Sequence, residues 1–343
     1  MTTFEDFNLT LQRLAAGEKL SQDAAARAFA SLMAGDVSPV RMAAFLTAFA
    51  VREATVEEIV GAARAMRHAM RTIEAPAGAI DLCGTGGDGH GTLNVSTAAA
   101  FVVAACGVPV AKHGNRNMSS RTGTADVLEA LGVRIDLEPA AAEQCLREAG
   151  LCFLFAQTYH PAMKHVGPVR RELGFRTVFN LLGPLCNPAN VRRQLLGVFS
   201  RDWLVPVANV LAKLGAEKAW VVHGSDGLDE MTTTGVSHVA VLEDGKVSTL
   251  TVAPQDVGLE HASLSALKGG IPDDNADAIR RLLGGARGAF RDIVLLNAAA
   301  ALVVADKTKD LKAGIARAAQ AIDSGAAANV LAKLESVSQG LRP

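Results

Sequence analysis

The chain has 343 residues, of which 49% are hydrophobic and 20% charged, so it is predicted to form a folded globular protein rather than a disordered one. That length suits one large domain plus one small domain. Lysine and arginine together number 34 against 35 acidic residues, and a formal net charge of -1 argues against a dedicated nucleic-acid binder.

Neither the N-terminus nor the cysteines indicate secretion or a membrane. The first residues carry acidic side chains and no apolar signal core. The longest apolar stretches, 98–107 and 293–305, are too short or too interrupted to span a bilayer. The 5 cysteines are unevenly spaced and form no C-x-x-C pair, which is typical of reduced, buried thiols. We therefore expect a cytoplasmic protein with no membrane partner.

Residues 1–70 are predicted to be helical. Ser38 offers a capping hydroxyl directly before a proline at the first helical position. Thr55 and Glu58 have the spacing of a capping box. A linker is expected at 72–78, where Pro76 and Gly78 interrupt the helical pattern.

Strands and helices alternate after the linker. This alternation predicts an α/β domain with a largely parallel sheet. Within 239–252, Asp244 and Gly245 separate two strand-like runs and predict a hairpin. The predicted strands are 80–83, 108–111, 151–155, 195–199 and 219–222, and the predicted helices are 96–106, 124–131, 140–149, 203–214, 274–283, 291–305 and 311–334.

A glycine-rich loop, Gly-Thr-Gly-Gly-Asp-Gly at 84–89, follows the first predicted strand. Glycines let backbone amides approach phosphate oxygens, and 92–97 leads into a helix whose N-terminus favours anions. The spacing fits neither the Walker motif nor the Rossmann fingerprint. The loop is therefore a candidate phosphate cradle, with a plain strand-to-helix turn as the alternative.

Two further polar loops follow strands. Residues 112–120 collect cations, amides and hydroxyls, and 223–230 end on the adjacent carboxylates Asp229 and Glu230. Ligands of open α/β sheets bind beyond the carboxyl ends of the strands, and Mg²⁺ prefers hard oxygen ligands. We expect these loops to meet the glycine loop; the alternatives are a solvated loop and an acidic surface turn.

A fourth candidate segment begins at Tyr159-His160-Pro161. A helix carrying Arg170 then leads into an apolar loop at 179–185 bounded by glycine and proline. A guanidinium can hold a carboxylate with two parallel hydrogen bonds. The alternative is a solvated arginine on an amphipathic helix.

Segments 81–97, 112–132, 159–188 and 223–235 together resemble, in order and spacing, the four signature segments of the anthranilate phosphoribosyltransferase family. The resemblance covers nearly the whole chain. Departures are mild: Leu93 stands where phenylalanine is common, and Thr122 and Thr124 stand where serines are common. The threonines keep the hydroxyl groups.

The resemblance implies a small all-helical domain and a large α/β domain with a mostly parallel central sheet flanked by helices. The small domain would take 1–72 with a returning segment near 165–190, and the large one 73–164 and 191–343. The active site would lie between them. A homodimer formed through the small domains is implied as well.

The implied activity transfers the 5-phosphoribosyl group from 5-phosphoribosyl-1-pyrophosphate (PRPP) to the amine of anthranilate. The products would be N-(5-phosphoribosyl)anthranilate and pyrophosphate, in a step of tryptophan biosynthesis that uses two Mg²⁺ ions.

Residue roles follow from the same resemblance. Gly84, Asn115 and Arg170 would contact anthranilate, and Ser96, Asp229 and Glu230 would hold Mg²⁺. His113 and Arg170 are the catalytic candidates; we expect His113 to position rather than to act as a base, because an aniline-type amine is neutral near neutral pH. The implied PRPP contacts are Gly84, Gly87, Asp88, Thr92, Asn94, Val95, Ser96, Thr97, Lys112, His113, Gly114, Asn115, Arg116, Asn117, Met118, Ser119, Ser120 and Thr124.

Two other functions stay open at this point. A pyrimidine nucleoside phosphorylase-like enzyme would have a similar fold but a different basic loop from that at 112–120. A noncatalytic paralogue that binds nucleic acid should lose the acidic pair and gain a basic face. The presence of Asp229 and Glu230 and the net charge of -1 argue against the second alternative.

Overall fold

The structure is a computed structural model that describes residues 4–87, 89–116 and 122–340. Four helices precede the first strand: α1 (Phe4–Ala15), α2 (Gln22–Ala34), α3 (Pro39–Arg52) and α4 (Val56–Ala69). Helix α3 begins at the predicted proline, but Ser38 makes no capping hydrogen bond with its side chain. The Thr55–Glu58 capping box is confirmed at the start of α4.

A seven-stranded sheet with the order β3-β2-β1-β4-β5-β6-β7 forms the centre of the α/β part. Strands β1 to β5 pair in parallel, whereas β6 and β7 are antiparallel. The predicted hairpin is confirmed, and Asp244 and Gly245 at its turn have φ values of 50° and 71°. The strands are β1 (Ile80–Gly84), β2 (Val110–Gly114), β3 (Leu151–Phe155), β4 (Arg193–Gly197), β5 (Lys218–Gly224), β6 (Ser237–Glu243) and β7 (Lys246–Val252).

The remaining helices connect and cover these strands. They are α5 (Val95–Ala105), α6 (Thr124–Ala130), α7 (Pro139–Ala149), α8 (Ala156–Tyr159), α9 (Met163–Leu173), α10 (Phe179–Leu185), α11 (Leu204–Lys213), α12 (Pro272–Leu283), α13 (Ala289–Val304), α14 (Leu311–Asp323) and α15 (Ala326–Gly340). No helix among these described residues combines the length and apolar character needed to cross a bilayer.

Three predicted elements need correction. The single helix expected at 311–334 is wrong, because Gly325 takes a left-handed conformation with φ 77° and separates α14 from α15. The second strand starts at Val110 and continues through Gly114, so the polar segment expected to be a loop from position 112 begins inside the sheet. The apolar segment 179–185 is helix α10 rather than a loop.

The sheet separates two hydrophobic cores. In β5, Trp220 and Val222 face one core, whereas Ala219 and Val221 face the other, as the alternation of side chains along a strand requires. The second core also includes buried residues of α1 to α4, α9 and α10, among them Phe45 and Phe179. The N-terminal helices and one face of the sheet therefore share a continuous apolar interior.

Glu58 ties the N-terminal helices together. Its carboxylate is fully buried and accepts hydrogen bonds from Leu20 N at 2.6 Å, Thr55 N at 2.8 Å and Arg52 Nη2 at 2.5 Å. Burial alone would raise the pKa of Glu58, but the hydrogen bonds from Arg52, Leu20 and Thr55 outweigh it and hold the pKa below its ordinary value.

We predict that Glu58→Ala lowers the free energy of unfolding by about 3–5 kcal/mol, because it leaves the guanidinium of Arg52 and the amide of Leu20 without their buried acceptor. Denaturant unfolding at neutral pH measures this. The matched control is Glu57→Ala, whose carboxylate is exposed and pairs with Lys213 at 3.4 Å; it should cost at most about 1 kcal/mol. Equal losses for both variants would contradict the assignment.

Candidate active site

The acidic loop after β5 crosses the carboxyl ends of β4 and β1. A β-carbon at Gly197 would collide with the backbone of Asp229, and one at Gly84 would collide with its carboxylate. Only glycine at both positions leaves room for the loop to lie this close to the sheet. The glycines that end β4 and β1 therefore allow the acidic loop to pass directly over the ends of these two strands.

The acidic pair contacts both halves of the predicted phosphate cradle. Asp229 Oδ2 accepts a hydrogen bond from Gly86 N at 2.7 Å, and Glu230 Oε1 accepts one from Ser96 N at 3.1 Å. Gly86 lies in the glycine loop with φ 66°, and Ser96 lies in the first turn of α5. The two carboxylates therefore link the glycine loop to the start of α5.

Side-chain hydrogen bonds hold the acidic loop in place. Asn297 on α13 accepts from Met231 N at 3.0 Å and donates to Met231 O at 2.8 Å. Asp226 accepts from Thr232 Oγ1 at 2.6 Å and from Leu228 N at 3.1 Å. The role of Asn297 was not predicted, since nothing in its helical surroundings indicates a contact with a loop 66 residues away.

A distant segment supports the second half of the cradle. Leu93 N donates to Leu267 O at 2.9 Å, and Thr92 bridges to Lys268. Asn94 precedes α5 without capping it; its Oδ1 instead accepts from Asn275 Nδ2 at 2.9 Å. The predicted ligands Thr92 and Asn94 are thus fixed by 267–275, a region that the sequence did not associate with the site.

Lys112 is a buried residue of β2, whereas the sequence placed it in the loop that follows the strand. The residue is 3% exposed; its Nζ donates to Leu82 O and lies 3.3 Å from Ser96 Oγ. The predicted contacts Thr97 and Thr124 also meet, with their hydroxyl oxygens 3.5 Å apart. The structure therefore brings these four predicted site residues together between β2, α5 and α6.

The predicted PRPP residues that directly follow β2 are exposed where the structure describes them. Asn115 and Arg116 are exposed, and the Arg116 guanidinium pairs with Asp126 at 2.8 Å and with Glu129 at 2.5 Å. Arg116 therefore already has two carboxylate partners on α6. Further predicted contacts lie outside the described residues: Asp88, Asn117, Met118, Ser119 and Ser120.

His113 forms a buried imidazole pair with His160. Their Nε2 atoms are 3.1 Å apart, so one ring must donate and the other accept. Burial lowers the pKa of His113 well below its ordinary value, and the neighbouring His160 lowers it further. Burial also lowers the pKa of His160, to about 4. Both rings are neutral near neutral pH, which agrees with a positioning role for His113.

Arg170 has a partly apolar setting. Its Nη2 donates to Asn180 Oδ1 at 3.4 Å, its guanidinium lies 5.4 Å from the ring centre of Phe179, and burial lowers its pKa. Among the described residues no carboxylate forms an ion pair with Arg170, so its guanidinium keeps donors for an anion. Helix α10, which carries Asn180 and Phe179, packs on β2 and so connects Arg170 with the strand of His113.

The described residues contain no group of three or more His, Cys, Asp or Glu side chains that could enclose a metal ion. The two carboxylates of the acidic loop and the Ser96 hydroxyl are hard oxygen donors at one place. Such a partial set fits Mg²⁺, which binds proteins through one or two carboxylates and completes its coordination with phosphates and water.

Two family models match the chain. Residues 77–328 match the α/β domain of a glycosyl transferase family, and residues 9–70 match the helical bundle domain of a glycosyl transferase family.

Curated relatives match over nearly the full length. The anthranilate phosphoribosyltransferase of Beijerinckia indica is 58% identical and the alignment covers 97% of this chain and 98% of the relative. That of Azorhizobium caulinodans is 54% identical, with 99% of this chain and 98% of the relative covered.

Solved structures agree as well. The anthranilate phosphoribosyltransferase from Thermus thermophilus is 47% identical with a TM-score of 0.90, covering 96% of this chain and 99% of that one. The Saccharomyces cerevisiae enzyme in complex with PRPP and Mg is 28% identical with a TM-score of 0.89, and 99% of each chain is covered. Its complex with 4-fluoroanthranilate is 27% identical with a TM-score of 0.88 over the same shares.

The histidine pair generates a prediction about pH. Because the pKa values of His113 and His160 are lowered in the folded protein, the unfolded chain binds more protons as the pH falls below about 6.5, and folding stability decreases from there toward the lowered pKa values. We expect the free energy of unfolding to fall between pH 7.5 and pH 5. Denaturant unfolding across that range measures the slope.

The variant His113→Gln/His160→Gln should lose much of this slope. The control is His261→Gln, at an exposed position, which should keep the wild-type slope. If the free energy of unfolding depends on pH equally in the wild type, the double variant and the control, the histidine pair does not control this dependence.

Proposed function

The chain belongs to the anthranilate phosphoribosyltransferase family, and from that premise we propose that it transfers the 5-phosphoribosyl group of PRPP to the amine of anthranilate. N-(5-phosphoribosyl)anthranilate and pyrophosphate are the products, in a step of tryptophan biosynthesis. The observation that carries the proposal is the contact of Asp229 and Glu230 with both the glycine loop and the start of α5.

The PRPP side of the site is supported by opposite charges in one place. Amides of Gly86 and Ser96 face the acidic pair, and the Lys112 ammonium lies under Ser96. Asp229, Glu230 and Ser96 would hold Mg²⁺, and we propose two ions per site. When bound, Mg²⁺ neutralises charge on the pyrophosphate group.

The anthranilate side is supported by Arg170. Anthranilate is a flat ring that carries a carboxylate beside its amine. Arg170 supplies a planar cation, and its guanidinium lies 5.4 Å from the ring centre of Phe179 on α10. Asn180 orients the guanidinium, because its Oδ1 also accepts from Thr177 N at 3.0 Å and is thereby fixed. We propose Gly84 and Asn115 as further contacts to anthranilate.

The chemistry needs little proton transfer. The bond from ribose C1 to pyrophosphate breaks and the electron pair leaves with pyrophosphate. The neutral amine nitrogen attacks C1 and afterwards loses one proton to water. Positioning and electrostatic stabilisation then supply most of the rate. A neutral His113, held by His160, fits this demand, since it orients groups without changing charge near neutral pH.

One assay separates this proposal from its rivals. Purified protein is incubated with PRPP, Mg²⁺ and anthranilate, and loss of anthranilate fluorescence is followed. A nucleoside phosphorylase would instead consume phosphate and a pyrimidine nucleoside, and a nucleic-acid-binding paralogue would do neither. Absence of transfer from PRPP to anthranilate would refute the proposed function.

We also propose a cytoplasmic homodimer formed through the N-terminal helices. Large apolar side chains are exposed on α1 and α3: Leu9 is 57%, Val40 80% and Val51 81% exposed. Exposed large apolar side chains on neighbouring helices support a protein–protein interface there. Sedimentation velocity tests the dimer, and Leu9→Glu/Val51→Glu should give monomers, whereas Val205→Glu on α11 should not.

Arg170→Ala is predicted to raise the Michaelis constant for anthranilate about 10- to 150-fold. This corresponds to the loss of a charge-assisted contact of about 1.5–3 kcal/mol. The constant for PRPP should change far less, and Arg170→Lys should recover only part of the loss, because an ammonium lacks the planar fork. Steady-state kinetics with each substrate varied separately provides the measurement.

The control is Arg171→Ala, which removes the exposed arginine next to Arg170 on α9 and should leave both constants within about twofold. Equal weakening of both substrates by Arg170→Ala would place this side chain near the phosphates instead.

Asp229→Ala/Glu230→Ala is predicted to abolish turnover while the fold survives. The pair lies on a loop outside the strands, and its removal takes away both carboxylates that would hold Mg²⁺. Activity is titrated with Mg²⁺, and circular dichroism checks the fold. Asp277→Ala, which removes an exposed carboxylate on α12, is the control. Wild-type activity of the double variant at limiting Mg²⁺ would disprove the metal assignment.

A further inference from the structure

Strands β1 and β2 are neighbours that barely pair. Their register contains the single pair Ile80↔Val110, whereas β1 pairs with β4 at five successive positions from Ile80↔Arg193 to Gly84↔Gly197. The two strands therefore separate toward their carboxyl ends. Those ends lead into the glycine loop and into the segment that follows Gly114, so the gap lies directly beneath the candidate active site.

Inside this gap, side chains form hydrogen bonds with the backbone N–H and C=O groups of the two strands. Asp81 Oδ1 accepts from His113 N at 3.2 Å, and Asn187 Nδ2 donates to Ala111 O at 2.8 Å. On the facing strand, Lys112 Nζ donates to Leu82 O. Groups that a regular ladder would pair with each other are thus satisfied by Asp81, Asn187 and Lys112 instead.

The centre of this arrangement is the carboxylate of Asp81. It is fully buried, and its Oδ2 accepts from Asn187 Nδ2 at 2.7 Å. The amide of Asn187 cannot reverse, because its Oδ1 accepts from Ala189 N at 2.8 Å. Both carboxylate oxygens of Asp81 are therefore used, Oδ1 by His113 N and Oδ2 by Asn187 Nδ2, and the Cys83 thiol is a further donor to this carboxylate.

Charge favours the same arrangement. Burial raises the pKa of Asp81 overall, and the ammonium of Lys112 and the hydrogen bonds from Asn187 and His113 oppose that rise by stabilising the charged form. The Lys112 ammonium in turn lies 3.3 Å from Ser96 Oγ at the start of α5. One buried carboxylate is thus connected to both residues of β2 that reach the site.

We propose that Asp81 is a positioning residue for PRPP binding, because with Asn187 it keeps β1 and β2 apart and so places Lys112 and His113 beneath the substrate. This rests on the proposed function and goes beyond it, since Asp81 is buried beneath the site and acts only through other residues. A one-for-one change to Asn removes the charge and turns an amide toward the Asn187 amide, so the end of β2 moves.

The first test is Asp81→Asn. The Michaelis constant for PRPP should rise by roughly tenfold or more, as expected when a hydrogen bond to a charged group is lost. The constant for anthranilate should rise much less than that for PRPP, because Arg170 on α9, its main proposed contact, is not bonded to Asp81. PRPP with Mg²⁺ should also raise the melting temperature of the variant less than that of the wild type, a readout that needs no turnover. A merely structural role would lower the active fraction and leave both constants unchanged.

The second test is the exchange Asp81→Asn/Asn187→Asp. It restores one donor–acceptor contact between positions 81 and 187 and the buried negative charge, while Ala111 O loses its donor. The Michaelis constant for PRPP should recover partly relative to Asp81→Asn alone. If Asp81→Asn fails to fold, the exchange variant compared with Asn187→Ala, which keeps the carboxylate but removes its partner, carries the same test.

Outcomes separate this inference from the proposed function. An active wild type with an unchanged PRPP constant in Asp81→Asn, or no recovery in the exchange variant, would overturn the positioning role. A wild type that is stabilised by PRPP yet transfers nothing to anthranilate would overturn the proposed function alone, and the melting-temperature comparison would still report on Asp81.

Discussion

The backbone of Asp229 passes over the end of β4 at a distance that leaves no space for a side chain at position 197. The strand order explains why this crossing matters. From β1 the chain continues to β2 on one side, while from β4 it continues to β5 on the other, so a crevice opens between β1 and β4. The acidic loop leaves β5 and bridges that crevice, which lets its carboxylates reach Gly86 and Ser96. With a side chain at position 84 or 197, the loop would lie farther from the sheet, and its two carboxylates would not reach the amides of Gly86 and Ser96.

Local signals in the sequence predicted local structure well. The Thr55–Glu58 box and the Asp244-Gly245 turn depend on residues at most three positions apart. All the residues that form each feature therefore lie within the short pattern that predicts it. The acidic pair and Arg170 were also identifiable by residue type. The environment of Lys112 was not, because its burial depends on Leu82 O, 30 positions away, and on the packing of α5. Likewise Gly325 ends a helix inside an alanine-rich stretch whose helical periodicity continues on both sides of it.

The environment of each cation, rather than its charge, decides what it can bind. Arg116 was predicted to contact PRPP, yet two carboxylates of α6 already hold its exposed guanidinium. Lys112 is buried and faces a carbonyl and a hydroxyl, so it strengthens the site from below. Arg170 has only an amide oxygen and an aromatic face, which leaves it able to take an anion. Three basic residues of similar appearance in the sequence thus have three different physical states.

The contacts of Asn94 with Asn275 and of Met231 with Asn297 also bear on how the protein is made. They join parts of the chain separated by 181 and 66 positions. Domains begin to fold during synthesis, and contacts between distant residues form slowly. A nascent chain that has left the ribosome only as far as the β6–β7 hairpin contains all four signature segments but lacks both asparagines. These two contacts can therefore form only late in translation, after the N-terminal helices and all seven strands have been synthesised.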